Sequence, residues 1–454
     1  MIRYNRPLTA IFSKNQIQGY YGIFGDTVIR FRSFKWLVLT LVSAALPACS
    51  TPPPADTDWT ARIDRILVQS WEYYRINFIS LDGRVIRPEN QQDSISEGQA
   101  YALLRAVWSQ DQAAFDRSYT WTETHLSRLV EKGDHLLAWR WGQTKSGQWQ
   151  VLDWNSATDG DLDYALALIL AHRQWGRPSQ PLPDYLVKAQ QVLKDILARE
   201  TAVDASGRRW LTPGSWIEPK LPLSLNPSYF SPASYRLFYL VTQDRRWLEL
   251  IDSTYYALGK LGRQLGNRQG VGLFPDWCVL TAPDRFAPHP DRGSDYGWEA
   301  VRIPWRIGLD RLWFKEPRAT RCLQDSVLTF FSKEWDQKQR LAAGYSYQGQ
   351  PLVDYESPVL YAGLLAAALA SEQPQLARHW AAKIVVTYHQ GSQGGYFNRP
   401  DDYYGNNWAW LGLATYRGWV QPFSTARSSK RGSSPPAGTN PKTACQIDGL
   451  SMQR

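Results

Sequence analysis

Three short stretches of the chain concentrate carboxylates beside aromatic residues, and positioned carboxyl groups are the means of general acid–base chemistry. The first is Ser94-Ile95-Ser96-Glu97-Gly98-Gln99. The second runs Asp153-Trp154-Asn155-Ser156-Ala157-Thr158-Asp159-Gly160-Asp161-Leu162-Asp163, four carboxylates in eleven residues and more than helix capping needs. The third, Asp295-Tyr296-Gly297-Trp298-Glu299-Ala300-Val301-Arg302-Ile303-Pro304-Trp305-Arg306, alternates acids, arginines and aromatics. Each also has a purely structural reading. Ser94 and Glu97 have the S-x-x-E spacing of a capping box, Thr158 or Asp159 would cap the helix that follows, and Glu299 and Arg302 stand at i,i+3 as an ion pair. The chemistry that needs such groups in pairs is glycoside cleavage, with two carboxyl groups on opposite faces of the scissile bond, one protonated and one ionised. At a separation of about 6.5 to 9.5 Å a water fits between sugar and base, and the anomeric configuration inverts.

The aromatic content points the same way. The chain has 22 Trp and 24 Tyr in 454 residues, and Trp is a costly core filler because its indole N–H needs a partner when buried. Flat polarised rings suit the axial C–H faces of sugars. Trp139, Trp141, Trp154, Trp216, Tyr229, Trp277 and Trp298 fall in loops beside the acidic stretches, where stacking on sugar units and packing of a large core are both open readings. Other chemistries lose support. The six His show no HExxH or paired spacing, and there is no GxSxG, GxxxxGK[ST] or GxGxxG motif. No metal and no organic cofactor is expected. The net charge of +9 lies wholly in residues 1–48 and 422–454, which leaves 49–421 neutral. A neutral body lacks the basic footprint of a nucleic-acid binder.

The elements that must position these groups are helical nearly throughout. Ala100, Leu103, Leu104 and Val107 sample the i, i+3, i+4, i+7 pattern, and strand-like alternation is scarce. Caps, Gly and Pro delimit helices near 59–77, 97–110, 112–131, 160–175, 183–200, 231–242, 245–263, 299–314, 318–335, 357–371, 374–389 and 406–420. Short links such as Gln110-Asp111 and Ser371 to Gln373 join them in pairs, with longer Trp-, Gly- and Pro-rich loops between pairs. Six helical hairpins in one domain over 59–421 suit a closed double ring, with the long loops gathered at one end as a cleft.

Ahead of this domain, Arg30, Arg32 and Lys35 precede an apolar run from Trp36 to Ala48. That run is too short to span a membrane and has the form of a secretory signal, with translation expected to start near Val28. Leu46-Pro47-Ala48-Cys49 resembles a bacterial lipobox, which makes Cys49 the expected site of lipid and membrane attachment and 49–58 a Pro-rich tether. Cys278, Cys322 and Cys445 are too few and too dispersed for a disulfide framework. From Pro422 the composition is that of a disordered basic tail.

The segment Ala157 to Trp175 resembles the signature of glycoside hydrolase family 8, which groups bacterial cellulases, lichenases, chitosanases and some xylan-acting enzymes. The signature reads A-[ST]-D-[AG]-D, two spacers, I or M, then A-x-[SA] and an apolar run ending in F or W. Only Tyr164 departs, at the I/M position. Ser96 to Gln99, Asn226 to Ala233 and Gly272 to Trp277 are similar to further family segments, collinear from about Ser94 to Trp419. The resemblance implies an all-α (α/α)6 barrel, Glu97 as general acid, and Asp159 as the aspartate that engages the sugar at the cleavage subsite. Glu299 occupies the position of the family's general base, an Asp in Y-D-A-x-R-x-P, and takes that role here, with Asp295 as nearest substitute. Trp154, Asp161, Tyr229, Trp277, Asp295, Trp298 and Arg302 are the expected substrate contacts. The expected function is an exported, monomeric, inverting endo-β-1,4-glucanase acting on soluble or amorphous β-glucan. Mixed-linkage glucan, chitosan or xylan are alternatives on the same fold, with Asp161, Asp163 and Asp295 keeping cationic chitosan open. A catalytically weak polysaccharide-binding protein at the cell surface is the alternative from another class.

Overall fold

The computed structural model describes residues 56–423 apart from 180 and 269. The expected signal segment, Cys49 and the residues from 424 onward lie outside the described residues. The helices are α1 (Asp56–Asn77), α2 (Ser96–Trp108), α3 (Gln112–His125), the single turn α4 (Leu129–Lys132), α5 (Thr158–Trp175), α6 (Tyr185–Arg199) and α7 (Pro232–Thr242). They continue with α8 (Arg246–Arg268), α9 (Ile303–Phe314), α10 (Pro317–Leu323), α11 (Thr329–Lys338), α12 (Pro358–Ala370), α13 (Pro374–Val385) and α14 (Tyr403–Tyr416). A kink in Gln324–Leu328, where the Ser326 backbone leaves the helical region, separates α10 from α11, and the two together make one bent outer segment.

Sequence composition sorts the helices into two layers. In α5 every residue from Thr158 to Ala171 is buried, and α12 is buried over nearly its whole length. A helix apolar on all sides belongs inside. In α6 the buried residues are Tyr185, Lys188, Ala189, Val192, Leu193, Ile196 and Leu197, one stripe at helical spacing. Helices α2, α5, α7, α9, α12 and α14 form the inner ring, and α2–α3, α5–α6, α7–α8, α9–α10/α11 and α12–α13 are five sequential hairpins. The sixth pair joins the ends of the domain. Trp410 in α14 donates its indole N–H to Leu67 O of α1 at 3.0 Å, and Arg417 pairs with Asp64. The ring is therefore an (α/α)6 barrel that closes only when first and last helices meet. Buried Arg105 of α2 ties this seam, donating to Ser70 O of α1 at 3.1 Å and to Asn407 Oδ1 of α14 at 3.2 Å.

The sequence-based spans depart from the structure at several ends, with α1 starting at Asp56, α8 running to Arg268, α9 starting at Ile303 and α11 running to Lys338. The span 112–131 breaks after His125 into a loop and α4, 374–389 overruns into a strand at Tyr388, and 406–420 begins three residues late. Short strands are also more numerous than the alternation predicts. Two three-stranded antiparallel sheets, Ser94–Ile95 with Arg140–Gln143 and Trp149–Asp153, and Leu223–Leu225 with Cys278–Ala282 and Arg285–Pro288, sit in the long connections. Strands of two to five residues are too short for alternation to register.

Candidate active site

Polar side chains at or just before the N-terminal ends of α2, α5, α7, α9 and α14 come together. Glu97 is the second residue of α2 and Asp159 the second of α5. Glu299 precedes a 3₁₀ turn that leads into α9 and Arg302 ends it, Ser228 lies in the 3₁₀ turn before α7, and Tyr403 opens α14. Helix N-termini carry unpaired N–H groups and partial positive charge, which favours carboxylates there.

The two small sheets set the loops. Ile95 pairs with Arg140, and Arg140 with Asp153, immediately before Glu97 and Trp154. The Trp139 backbone continues this link, accepting the Ser96 N–H at 3.0 Å and donating to Asn155 O at 2.8 Å. In the second sheet Leu225 pairs with Cys278, placing Asn226 to Tyr229 beside Asp276 and Trp277. The starts of α2 and α5 also touch: a Cβ on Gly160 would lie 2.4 Å from Ser96 Oγ and 3.0 Å from the Glu97 nitrogen. The glycine after Asp159 is therefore a requirement of close approach.

At the centre lies the fully buried Arg302 guanidinium. Its Nη1 donates to Glu97 Oε2 and to Asp159 Oδ2, both at 2.8 Å. Its Nη2 donates to Ser228 Oγ at 2.8 Å and to Glu299 Oε2. All three carboxylates expected to be catalytic thus converge on one cation. Glu299 Oε2 also accepts from Asn226 Nδ2 at 2.8 Å and Ser228 Oγ at 3.2 Å, and Glu97 Oε1 accepts the Tyr403 hydroxyl at 3.3 Å. One positive charge cannot compensate three negative ones in a site of low polarity. Burial pushes the Glu97 carboxyl up to about 7, opposed by Arg302 and reinforced by Asp159 and Glu299. Asp159 is raised as well, first by burial. Ser94 does not act as a capping residue: it lies in a strand, and its hydroxyl donates to Val85 O at 2.6 Å.

The remaining expected contacts divide. Tyr229 places its ring 5.3 Å from the Arg302 guanidinium carbon and meets Trp277 edge-on at 6.3 Å. Arg292 covers Trp277 at 4.2 Å and Trp216 at 5.4 Å. Across the cluster Trp298, 43% exposed, meets Tyr404 edge-on at 6.2 Å. Trp154 is half-buried directly after the first sheet. Asp295 stands apart from the cluster: its carboxyl accepts the Tyr347 backbone N–H, and burial raises its pKa.

Asp161 requires a correction. It has no exposed surface and cannot reach a substrate in the cleft. Its Oδ1 accepts the Leu137 N–H at 2.8 Å, and Glu200, itself bound by Ser156 Oγ at 2.6 Å, is its charged neighbour. Asp163 is equally buried, gripped by Arg306 at 2.8 Å through both oxygens. Sequence reasoning missed Asn226, Ser228, Asp276, Tyr403 and Tyr404 as site residues. The first three lie in family-like segments that could have flagged them. Tyr403 reaches Glu97 across 306 positions, with no local signal. Among the described residues no group of three or more His, Cys, Asp or Glu side chains is arranged to hold a metal ion.

The sequence profile of glycosyl hydrolases family 8 matches residues 55–409. The chain belongs to that family. Endoglucanase A of Acetivibrio thermocellus is 27% identical over 407 residues, 87% of this chain and 77% of that one. An endoglucanase of Xanthomonas axonopodis pv. citri is 33% identical over 292 residues, 63% of this chain and 68% of its own. Among solved structures, the apo β-1,3-1,4-glucanase from Paenibacillus sp.X4 matches with a TM-score of 0.66 at 25% identity, over 79% of this chain and 93% of that one. Family membership makes the protein a glycoside hydrolase, and the barrel, with its carboxylates at one end, is the family-8 fold.

Proposed function

We propose that this family-8 glycoside hydrolase cleaves β-1,4-glucan chains internally with inversion of configuration. Glu97 is the general acid, Glu299 the general base and Asp159 the group that holds the sugar at the cleavage point. The observation that carries the reading is the convergence of Glu97, Asp159 and Glu299 on the single buried Arg302. That arrangement leaves negative charge in excess and favours a proton on Glu97, the state a general acid needs before it protonates the leaving oxygen. Glu299 meets three donors, Asn226, Ser228 and Arg302, on one oxygen, surroundings that suit a carboxylate waiting to take a proton from water. Trp277, Tyr229, Trp298 and Trp154 supply rings for stacking on glucosyl units.

The substrate class follows the endoglucanase relatives. Asp161 and Asp163, two of the three acids on which a chitosan reading rests, are buried, and Asp295 is the one that keeps some exposure. Mixed-linkage β-1,3-1,4-glucan is the second reading, favoured by the likeness to the Paenibacillus glucanase. We also propose export through the segment ending at Ala48, lipid attachment at Cys49 and action as a monomer. Reducing-sugar release from carboxymethylcellulose, lichenan, chitosan and xylan by residues 56–423 tests the central claim. Activity on carboxymethylcellulose that Glu97→Gln and Glu299→Gln both abolish is the expected result. Activity that survives Glu299→Gln removes that residue as base, and binding without turnover on every polymer makes the protein a lectin-like binder.

A further inference from the structure

Glu299 and Arg302 do not stand on a regular helix. Glu299 precedes the 3₁₀ turn Ala300–Arg302 and Arg302 ends it, and the Glu299 side chain does not cap the turn. The free N–H groups at its start are taken instead by a residue from a distant loop. Asp276 Oδ1 accepts the backbone N–H of Gly297 at 3.1 Å, of Glu299 at 3.0 Å and of Ala300 at 2.7 Å. The backbone of Asp276 returns the grip, donating its own N–H to Asp295 O at 2.8 Å. On the opposite side the Tyr404 hydroxyl donates to Trp298 O at 2.7 Å. The segment 295–300 is thus held on both sides by groups far away in sequence.

From this geometry we infer that Asp276 is the positioning residue of the base, fixing through one carboxylate oxygen where the Glu299 and Arg302 side chains begin. The inference rests on Glu299 being the base. Three N–H groups on one oxygen fix both the position and the rotation of the turn, because each bond restrains a different peptide plane. The fit leaves no slack. A Cβ on Gly297 would lie 2.4 Å from Asp276 Oδ2, so glycine there is what lets the carboxylate approach. The same short segment also sets the aromatic wall, because Trp277 follows Asp276 directly, meets Tyr229 edge-on and lies under Arg292. Half-burial and the neighbouring Glu299 push the Asp276 carboxyl up to about 7, against the three N–H groups that lower it.

Glu299 is one methylene longer than aspartate, so its carboxylate has one more rotatable bond through which to miss the water it must activate. A fixed turn compensates for that freedom. Removing the grip is therefore expected to lower turnover far more than substrate affinity, since Asp276 holds the backbone that carries Glu299 and touches the sugar-stacking rings only indirectly, through the partly exposed Trp298 on the same segment.

The test measures kcat and KM on carboxymethylcellulose, with cellohexaose affinity from Trp fluorescence, for wild type, Asp276→Ala, Asp276→Asn and Gly297→Ala. Asp276→Ala is expected to lower kcat by about 10²-fold, the sensitivity of catalysis to an ångström-scale displacement, with cellohexaose affinity changed far less. Asp276→Asn keeps the accepting oxygen and is expected to recover about tenfold of that loss. Gly297→Ala, which displaces the carboxylate without removing it, is expected to lower kcat in the same direction. Turnover by Asp276→Ala close to wild type overturns the inference. So does an Asn variant as slow as the Ala variant, which would make the carboxylate itself a participant in the chemistry. If Asp276→Ala does not fold, the inference stands only if Asp276→Asn is active and Gly297→Ala is slow with retained affinity. A wild-type protein active on no glucan overturns the functional reading and this inference with it, whereas an active wild type with an indifferent Asp276 overturns the inference alone.

Discussion

Helices α5 and α9 meet in two successive layers built from the same pair of residue types. In the upper layer Asp159 of α5 faces Arg302 in the turn that leads into α9, and in the lower Asp163 of α5 faces Arg306 of α9 itself. Both arginines are fully buried. The lower pair is complete in itself, a bidentate bridge with two bonds of 2.8 Å, and one charge cancels the other. In the upper layer the same guanidinium is shared among Asp159, Glu97 and Glu299. A buried Asp–Arg bridge is structural when charges match. When carboxylates outnumber the cation the layer must hold a proton or expel a charge, and Glu97, raised to about 7, is where the proton rests. The difference between scaffold and active site is thus two extra acids delivered by neighbouring helices.

The strongest way to break this comparison is to neutralise one charged group in each layer. Glu97→Gln should lower kcat on carboxymethylcellulose by about 10²- to 10⁴-fold, the contribution of a general acid, while the thermal midpoint holds. Arg306→Met should do the opposite. It strands Asp163 as a buried unpaired charge at a cost of about 3–5 kcal/mol, seen as a lower unfolding midpoint, and any activity loss should follow the folded fraction. If Arg306→Met unfolds no more easily than wild type, the lower layer is not the scaffold described.

The pH dependence sharpens the contrast. Glu97 has a folded pKa raised above its usual value of 4.5, so the stability it contributes is full below about 4.5 and is lost as pH rises through about 7. Melts of wild type and Glu97→Gln at pH 5 and pH 8 should show wild type losing ground to the variant at pH 8 by about 2 kcal/mol. The same proton governs activity, so kcat/KM should fall on the alkaline side with a midpoint near 7. Equal pH slopes for the two proteins would locate the proton elsewhere. The smallest effect is expected at the rim. Trp298→Ala, which removes a ring already 43% exposed, should raise KM several-fold and change kcat less, a loss of about 1 kcal/mol for an aromatic contact.

The helical barrel was legible because twelve amphipathic or wholly apolar stretches of at least eleven residues repeat a pattern that needs only local spacing. Glu97, Asp159 and Glu299, which the structure brings to one arginine, could be singled out because each stands beside a helix start within a family-like segment. Asp161 was misplaced for a related reason: it lies two residues after Asp159 in the same acidic run, and composition cannot say which face of a first helical turn looks outward. The short strands escaped because two to five residues hold too little alternation, yet they carry Ile95, Asp153, Leu225 and Cys278, the residues that fix where the site loops begin.

By itself the sequence determined the helical layers of the barrel, the family and which carboxylates are candidates for the chemistry, because these depend on residue type and on spacing within one segment. Only the tertiary structure decided that the three carboxylates share one guanidinium, that α1 and α14 close the ring and that Asp276 holds the turn bearing Glu299. Those are meetings of segments tens to hundreds of residues apart. Their number of donors and charges, not the residues singly, sets which acid keeps its proton.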